Sequence, residues 1–214
     1  MNSENVKDDK PKSIEQRIIE AAQVVFIRKG FIATSMGDVA AEANVGRTSL
    51  NYYYRTKDIL FDAMVNNFAQ RLFPNIEKII EEETSVLEKL PHILTVYFNL
   101  IKNNPALPLF IINEINRDTN RILTPILKSN YELTVFLRLK NLVLKEMEEG
   151  KLRKQSIEDV ASAFVSLVIF PFLIKDLLLR LFMNEDKTSF DNFLDRKKEQ
   201  IEEIMTNLLK IEEK

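Results

Sequence analysis

TSMGDVAAEANVGRTSLNYYYRTK, residues 34–57, reads as a helix, a tight turn and a second short helix, the outline of a DNA-reading unit. Thr34 and Ser35 carry hydroxyls able to accept from the orphan amides of a first helical turn. Asp38, three residues after Ser35, completes a capping-box pattern that makes Ser35 the cap. Met36, Val39, Ala40 and Ala43 follow at helical spacing, and Asn44 then supplies the side chain that, after glycine, best tolerates a left-handed stop. Val45 plugs the turn. Leu50 and Tyr54, four apart, give the second helix a buried face, while Thr48, Asn51, Tyr52 and Arg55 point away from it. Arg47 and Thr48 fall in the first turn, where a recognition helix meets base edges in the major groove. Thr56 caps a third helix beginning Lys57-Asp58, which sets Lys57 beside helix-start amides suited to a backbone phosphate.

Through these residues the chain resembles the TetR family of one-component transcriptional regulators. The resemblance is carried by Gly30-Phe31, Thr34-Ser35, Asp38-Val39-Ala40, Asn44-Val45-Gly46, Leu50-Asn51-Tyr52-Tyr53-Tyr54 and Thr56-Lys57-Asp58. Asn44 and Gly46 replace the family's turn Gly and capping Ser, which leaves the recognition helix capped by backbone alone. Asn51 stands for a tyrosine, and Tyr53 for a histidine that in the family touches phosphate. The resemblance implies a homodimeric repressor of a near-palindromic double-stranded DNA operator, released by a small-molecule inducer. Candidate DNA-binding residues are Thr34, Ser35, Arg47, Thr48, Ser49, Asn51, Tyr52, Tyr53 and Lys57. Arg47 and Asn51 are assigned to base contact, and Thr34, Ser35, Tyr52, Tyr53 and Lys57 to phosphates. On that assignment, Lys57→Ala weakens all DNA sites alike and flattens the salt dependence by about one charge.

Composition agrees with an all-α fold, and the resemblance implies an N-terminal three-helix helix-turn-helix domain plus a C-terminal helical bundle for ligand binding and dimerisation. The chain of 214 residues has 4 Gly, 7 Pro and no Trp, and is rich in Leu, Ile, Glu and Lys. No cysteine is present, which removes disulfides, thiolate metal sites and cysteine nucleophiles. The net charge of -2 hides a local asymmetry. Arg47, Arg55 and Lys57 stand without an acid between Ala43 and Lys57, whereas acids gather in Glu81-Glu82-Glu83 and around Glu146 to Glu149. A basic tip on an acidic body predicts oriented docking and a clear salt dependence.

Residues 1–12 read as a flexible arm, 13–60 as the DNA-binding domain and 61–214 as the ligand-binding and dimerisation domain. Ser13 with Gln16 opens an amphipathic helix that Gly30 ends. Pro74 is expected to kink its helix or start a new one. Later helices are expected over Val86–Asn103, Pro105–Asp118, Arg121–Glu149, Ile157–Met183 and Ser189–Leu209, with Gly150 as a stop and Ser156-Asp159 as a capping box. The apolar run Val160 to Ile174 is too short for the roughly 20 residues of a membrane span and contains Pro171. It fits a helix buried on several sides, against its own bundle and a partner subunit; the resemblance implies a homodimer through the last two long helices, and a cytoplasmic location is expected.

For an inducer the candidates are Phe98, Phe110, Asn113, Arg117, Tyr131 and Phe164, joined by Ile101 and Phe170, although residues of these types at helical spacing are more often plain core. Such a pocket suits an apolar or amphipathic molecule, with Arg117 as the anchor for a carboxylate. His92 is the only histidine, and no Ser-His-Asp set, H-x-x-x-H or P-loop is present, so neither catalysis, a metal nor a cofactor is expected. A helical adaptor of the same fold, acting through a protein partner, is the alternative.

Overall fold

The computed structural model describes residues 13–184 and 186–211, with Lys187 described by its backbone alone; the expected arm at residues 1–12 lies outside them. Every regular element among the described residues is an α-helix. They are α1 Ile14–Ala33, α2 Met36–Glu42, α3 Arg47–Tyr53, α4 Lys57–Glu81, α5 Val86–Asn103 and α6 Leu107–Arg117, followed by α7 Thr119–Lys128, α8 Asn130–Glu148, α9 Ile157–Leu173, α10 Lys175–Phe182 and α11 Lys187–Leu209. The chain divides into two compact units, Met1–Met64 and Val65–Lys214, with the division inside α4.

In the first unit, the apolar stripe of α1 (Ile18, Ala22, Val25, Phe26) is buried with Val39, Leu50, Leu60 and Phe61. Its centre is aromatic. Phe61 meets Phe26 and Phe31 edge-on, each with ring centroids 5.1 Å apart, and Phe26 stacks on Phe31 at 6.0 Å. Gly30 interrupts α1 as its sequence position requires: it adopts φ 76°, ψ 168°, outside the helical region, and a further turn then carries the chain to Ala33.

The second unit holds two apolar clusters. The larger gathers Leu90, Leu94 and Phe98 of α5, Val143 and Met147 of α8, Val168 and Phe172 of α9, and Leu194, Ile201 and Met205 of α11. The smaller joins Ile76 and Ile79 of α4 to Ile93 of α5 and Val135 of α8. Two buried ionisable side chains fasten the link between α4 and α5. The Lys89 ammonium donates to Glu82 O at 2.6 Å and Thr84 Oγ1 at 2.8 Å, and the Glu146 carboxylate accepts from the Val86 amide at 3.0 and 3.1 Å. Each satisfies a backbone group at a helix end that would otherwise be left bare.

Three sequence expectations change. No new helix starts at Pro74, which lies inside α4: the lost amide costs one helical bond, while Leu72, Phe73, Ile76 and Ile79 keep both flanks packed in the smaller cluster. The helix expected over Arg121–Glu149 is two, because Ser129 is extended (φ −82°, ψ 112°) between α7 and α8. The helix expected over Ile157–Met183 is also two, bent by 58° at Ile174 rather than at Pro171. No single helix among the described residues is long and apolar enough to cross a membrane.

Candidate nucleic-acid interface

The reading unit is built from local bonds outward. The Ser35 hydroxyl accepts from the Asp38 amide at 3.1 Å, and the Asp38 carboxylate accepts from the Ser35 amide at 2.9 Å, so the reciprocal box that opens α2 is complete. Lys29 donates to Asp38 at 2.7 Å; this bond, with those from Ser35, holds the Asp38 carboxyl well below the usual carboxylate range. Asn44 takes the left-handed conformation, φ 51°, and ends α2. Gly46 then caps α3 with no side-chain bond, and the Thr56 hydroxyl accepts from the Ile59 amide at 3.2 Å at the start of α4.

The seven residues of α3 divide cleanly by face. Leu50 is fully buried, and Arg47, Thr48, Ser49, Asn51, Tyr52 and Tyr53 are all exposed. Tyr52, 83% exposed, stands edge-on to Tyr53 with centroids 5.4 Å apart, and so presents a polar-tipped aromatic pair at the end of the helix. Tyr54 is turned inward and donates to Glu15 at 3.2 Å; burial first, and the Glu15 charge second, push its phenol up to about 12. The nearest acids on α2 are engaged by cations, Glu42 by Arg28 at 3.2 Å and Asp38 by Lys29. This leaves the α3 face polar and basic.

Two of the residues assigned to DNA from sequence are placed otherwise. Thr34 is buried and donates its hydroxyl to Gly30 O at 2.8 Å, closing the end of α1. The Lys57 ammonium donates to Phe31 O at 2.9 Å, Ile32 O at 3.2 Å and Thr34 O at 2.9 Å, and stands 4.5 Å from the centroid of the Phe31 ring. An ammonium has three N–H bonds, and here each has a carbonyl, so none remains for a phosphate. Ser35 remains exposed, although its hydroxyl is engaged in the cap.

Arg17, which the sequence reading did not single out, ties α1 to the end of α2. Its guanidinium donates to Ala43 O at 2.7 Å and Asn44 O at 2.9 Å, the carbonyls at the end of α2, and thereby pins the turn that aims α3. The available signal was a cation one residue before the buried stripe of α1, facing a helix C-terminus that lacks a basic residue of its own.

The six inducer candidates divide between core and surface, with Phe98 and Phe164 sharing the larger cluster. Phe98 is core and meets Phe172 edge-on at 5.8 Å; Phe164 meets Tyr97 at 5.3 Å; Phe110 is buried in α6. Asn113 is exposed. Arg117, half-exposed, lies 3.7 Å from the buried Glu114, which also takes Arg121 at 3.2 Å, so its charge is already matched. Tyr131 donates to Glu77 at 2.6 Å. None of the six borders the open depression along α11 lined by Glu199, Glu202, Glu203, Thr206 and Asn207.

Comparison with known proteins agrees with this geometry. Residues 18–64 match the family described as bacterial regulatory proteins, tetR family. The HTH-type transcriptional repressor KstR2 of Mycolicibacterium smegmatis is 26% identical over 107 residues, 50% of this chain and 52% of that protein; the chain thus spans about half the length of this relative. YttP of Bacillus subtilis is 24% identical over 168 residues, covering 75% of this chain and 78% of its own. Among solved structures, HlyIIR, a hemolysin II transcriptional regulator, superposes with a TM-score of 0.62 at 26% identity, covering 79% of this chain and 94% of that one.

Proposed function

Because the chain belongs to the tetR family of bacterial regulatory proteins, a family of DNA-binding transcription factors rather than enzymes, we propose that it is a cytoplasmic homodimeric repressor that reads a near-palindromic operator and releases it when a small amphipathic molecule binds. The observation that carries the reading is the face of α3: six exposed residues, none acidic, around a fully buried Leu50. Arg47 and Asn51 are the base readers, since guanidinium and carboxamide groups can each make paired bonds to a purine edge. Thr48 and Ser49 support them, and Ser35, Tyr52 and Tyr53 reach backbone phosphates. Thr34, Lys57 and Arg17 position these groups from within.

Dimerisation through α9, α10 and α11 is supported by exposed apolar side chains there, with Phe170 57%, Leu181 64% and Phe182 73% exposed, together with Val165, Leu177 and Ile204. Two recognition helices on such a dimer would address half-sites about 34–36 Å apart.

The test is titration of the chain's own upstream DNA at several salt concentrations, with Arg47→Ala beside the wild type. Saturable, salt-sensitive binding is expected, and Arg47→Ala should weaken operator binding by about ten- to a hundredfold while changing random-DNA binding far less. Equal affinity of the wild type for upstream and random DNA contradicts the operator reading and favours a protein partner.

A further inference from the structure

Among the described residues, two buried side-chain polar atoms lack a hydrogen-bond partner: Oε2 of Glu132 and Oδ1 of Asn66. Both are acceptors. Glu132 is 3% exposed, although it lies in the first turn of α8, where a glutamate normally faces water. Its spacing from Val135 and Leu139, three and seven residues on, puts it on the stripe of α8 that packs on Ile76, Ile79 and Ile93. Asn66 lies on α4, ten residues before Ile76, and is not part of this cluster. The smaller apolar cluster is therefore edged by one unfilled acceptor, the carboxylate of Glu132.

The surrounding field has the same sign. Glu77 and Glu81 of α4 lie across from α8, with Arg138 at 2.8 Å from Glu77 and 3.4 Å from Glu81 as the cation paired with them. The Tyr131 phenol is pushed up to about 12 by its bond to Glu77 first, by burial second, and then by the charges of Glu77, Glu132 and Glu81. An anionic guest would be repelled here. A buried, unpartnered carboxylate oxygen costs free energy that a cationic N–H donor can recover.

We propose that Glu132 is the anchor of a binding site for an organic ammonium, with the apolar part of the guest lying against Phe73, Val135 and Leu139. This rests on the reading of the chain as a ligand-responsive regulator, and it gives that ligand a charge: positive at one end, apolar at the other. An ionised carboxylate accepts only and so selects against a fatty-acid head group, and the apolar stripe disfavours a small, fully hydrated ion. Arg117, on another helix and already matched to Glu114, has no part in it.

The probes are decylammonium, decanol and decanoate, which share a chain and differ in the head group, titrated calorimetrically into the full-length protein and into Glu132→Gln. Wild-type protein is expected to bind one decylammonium per chain, with decanol and decanoate each at least tenfold weaker. Glu132→Gln, which removes the charge and keeps the shape, should lose at least tenfold for decylammonium and leave decanol unchanged. Decanoate binding as tightly as decylammonium, no saturable decylammonium binding, or a folded Gln variant that keeps full ammonium affinity overturns the site. The head-group ranking on wild-type protein decides the matter even if the variant does not fold. A DNA titration run in parallel separates the two readings. Protein that binds decylammonium but shows no operator preference retains the site and loses the regulator, whereas an operator binder indifferent to all three probes retains the regulator and loses the site.

Discussion

Phe61→Ala is expected to remove about 3–5 kcal/mol from the first unit and abolish operator binding without touching a residue of the DNA-facing surface. Phe61 is fully buried and edge-on to both Phe26 and Phe31, so truncation opens a void between two rings that cannot close on it. A small domain has about 5–15 kcal/mol in all, so this loss leaves a substantial fraction of the reading unit open at growth temperature. Hydrogen exchange on the full chain is the measurement: peptides from residues 13–60 should lose protection, while those from α11 keep it. Phe136→Ala, at a site 57% exposed, serves as the control and should change stability by no more than about 0.5 kcal/mol. Unchanged protection in Phe61→Ala would mean that the aromatic trio is not the centre of the unit.

Lys57→Ala is expected to weaken DNA binding for a reason different from the one its sequence position suggests. Its ammonium bonds three carbonyls at the end of α1 and in the link to α2, a charge-assisted set whose removal should cost about 1–3 kcal/mol at this half-buried site. The reading unit should melt earlier, and affinity should fall with it. The slope of log affinity against log salt should stay at the wild-type value, because no phosphate contact is lost. Lys57→Met, which keeps most of the stem over the Phe31 ring, should recover part of the stability and none of the carbonyl bonds. A slope lower by about one charge with unchanged melting would restore the phosphate role.

These two residues also mark what could be read from the sequence. The Ser35–Asp38 box, the left-handed Asn44, the buried Leu50 and Tyr54, and the exposed Arg47, Asn51 and Tyr52 all follow from spacings of a few residues, where helix geometry alone decides the outcome. The partners of Lys57 lie 23 to 26 residues away, and those of Arg17 lie 26 and 27 away, so their roles exist only once the unit has folded. The break at Ser129 was announced by Ser129 and Glu132 at capping-box spacing, a start signal that the long apolar pattern overrode in the reading, whereas Ile174 carries neither Gly nor Pro. Glu132 was illegible for the opposite reason: a glutamate in a first helical turn satisfies every local rule for solvent, and only the packing of α8 shows that it is buried.

The bare cap on α3 has a kinetic consequence. Gly46 sits at an extended φ of −66°, ψ of 145°, and a Cβ there would meet no atom within 4 Å, so the position accepts a serine without strain. A serine hydroxyl would bond a first-turn amide and gain a few tenths of a kcal/mol. Changes of that size among variants of one interface fall mostly on dissociation, so Gly46→Ser should lengthen the dwell time on the operator by up to about twofold, as read by competitor-chase fluorescence. On that expectation the missing side-chain cap at the start of α3 sets how quickly the bound chain exchanges.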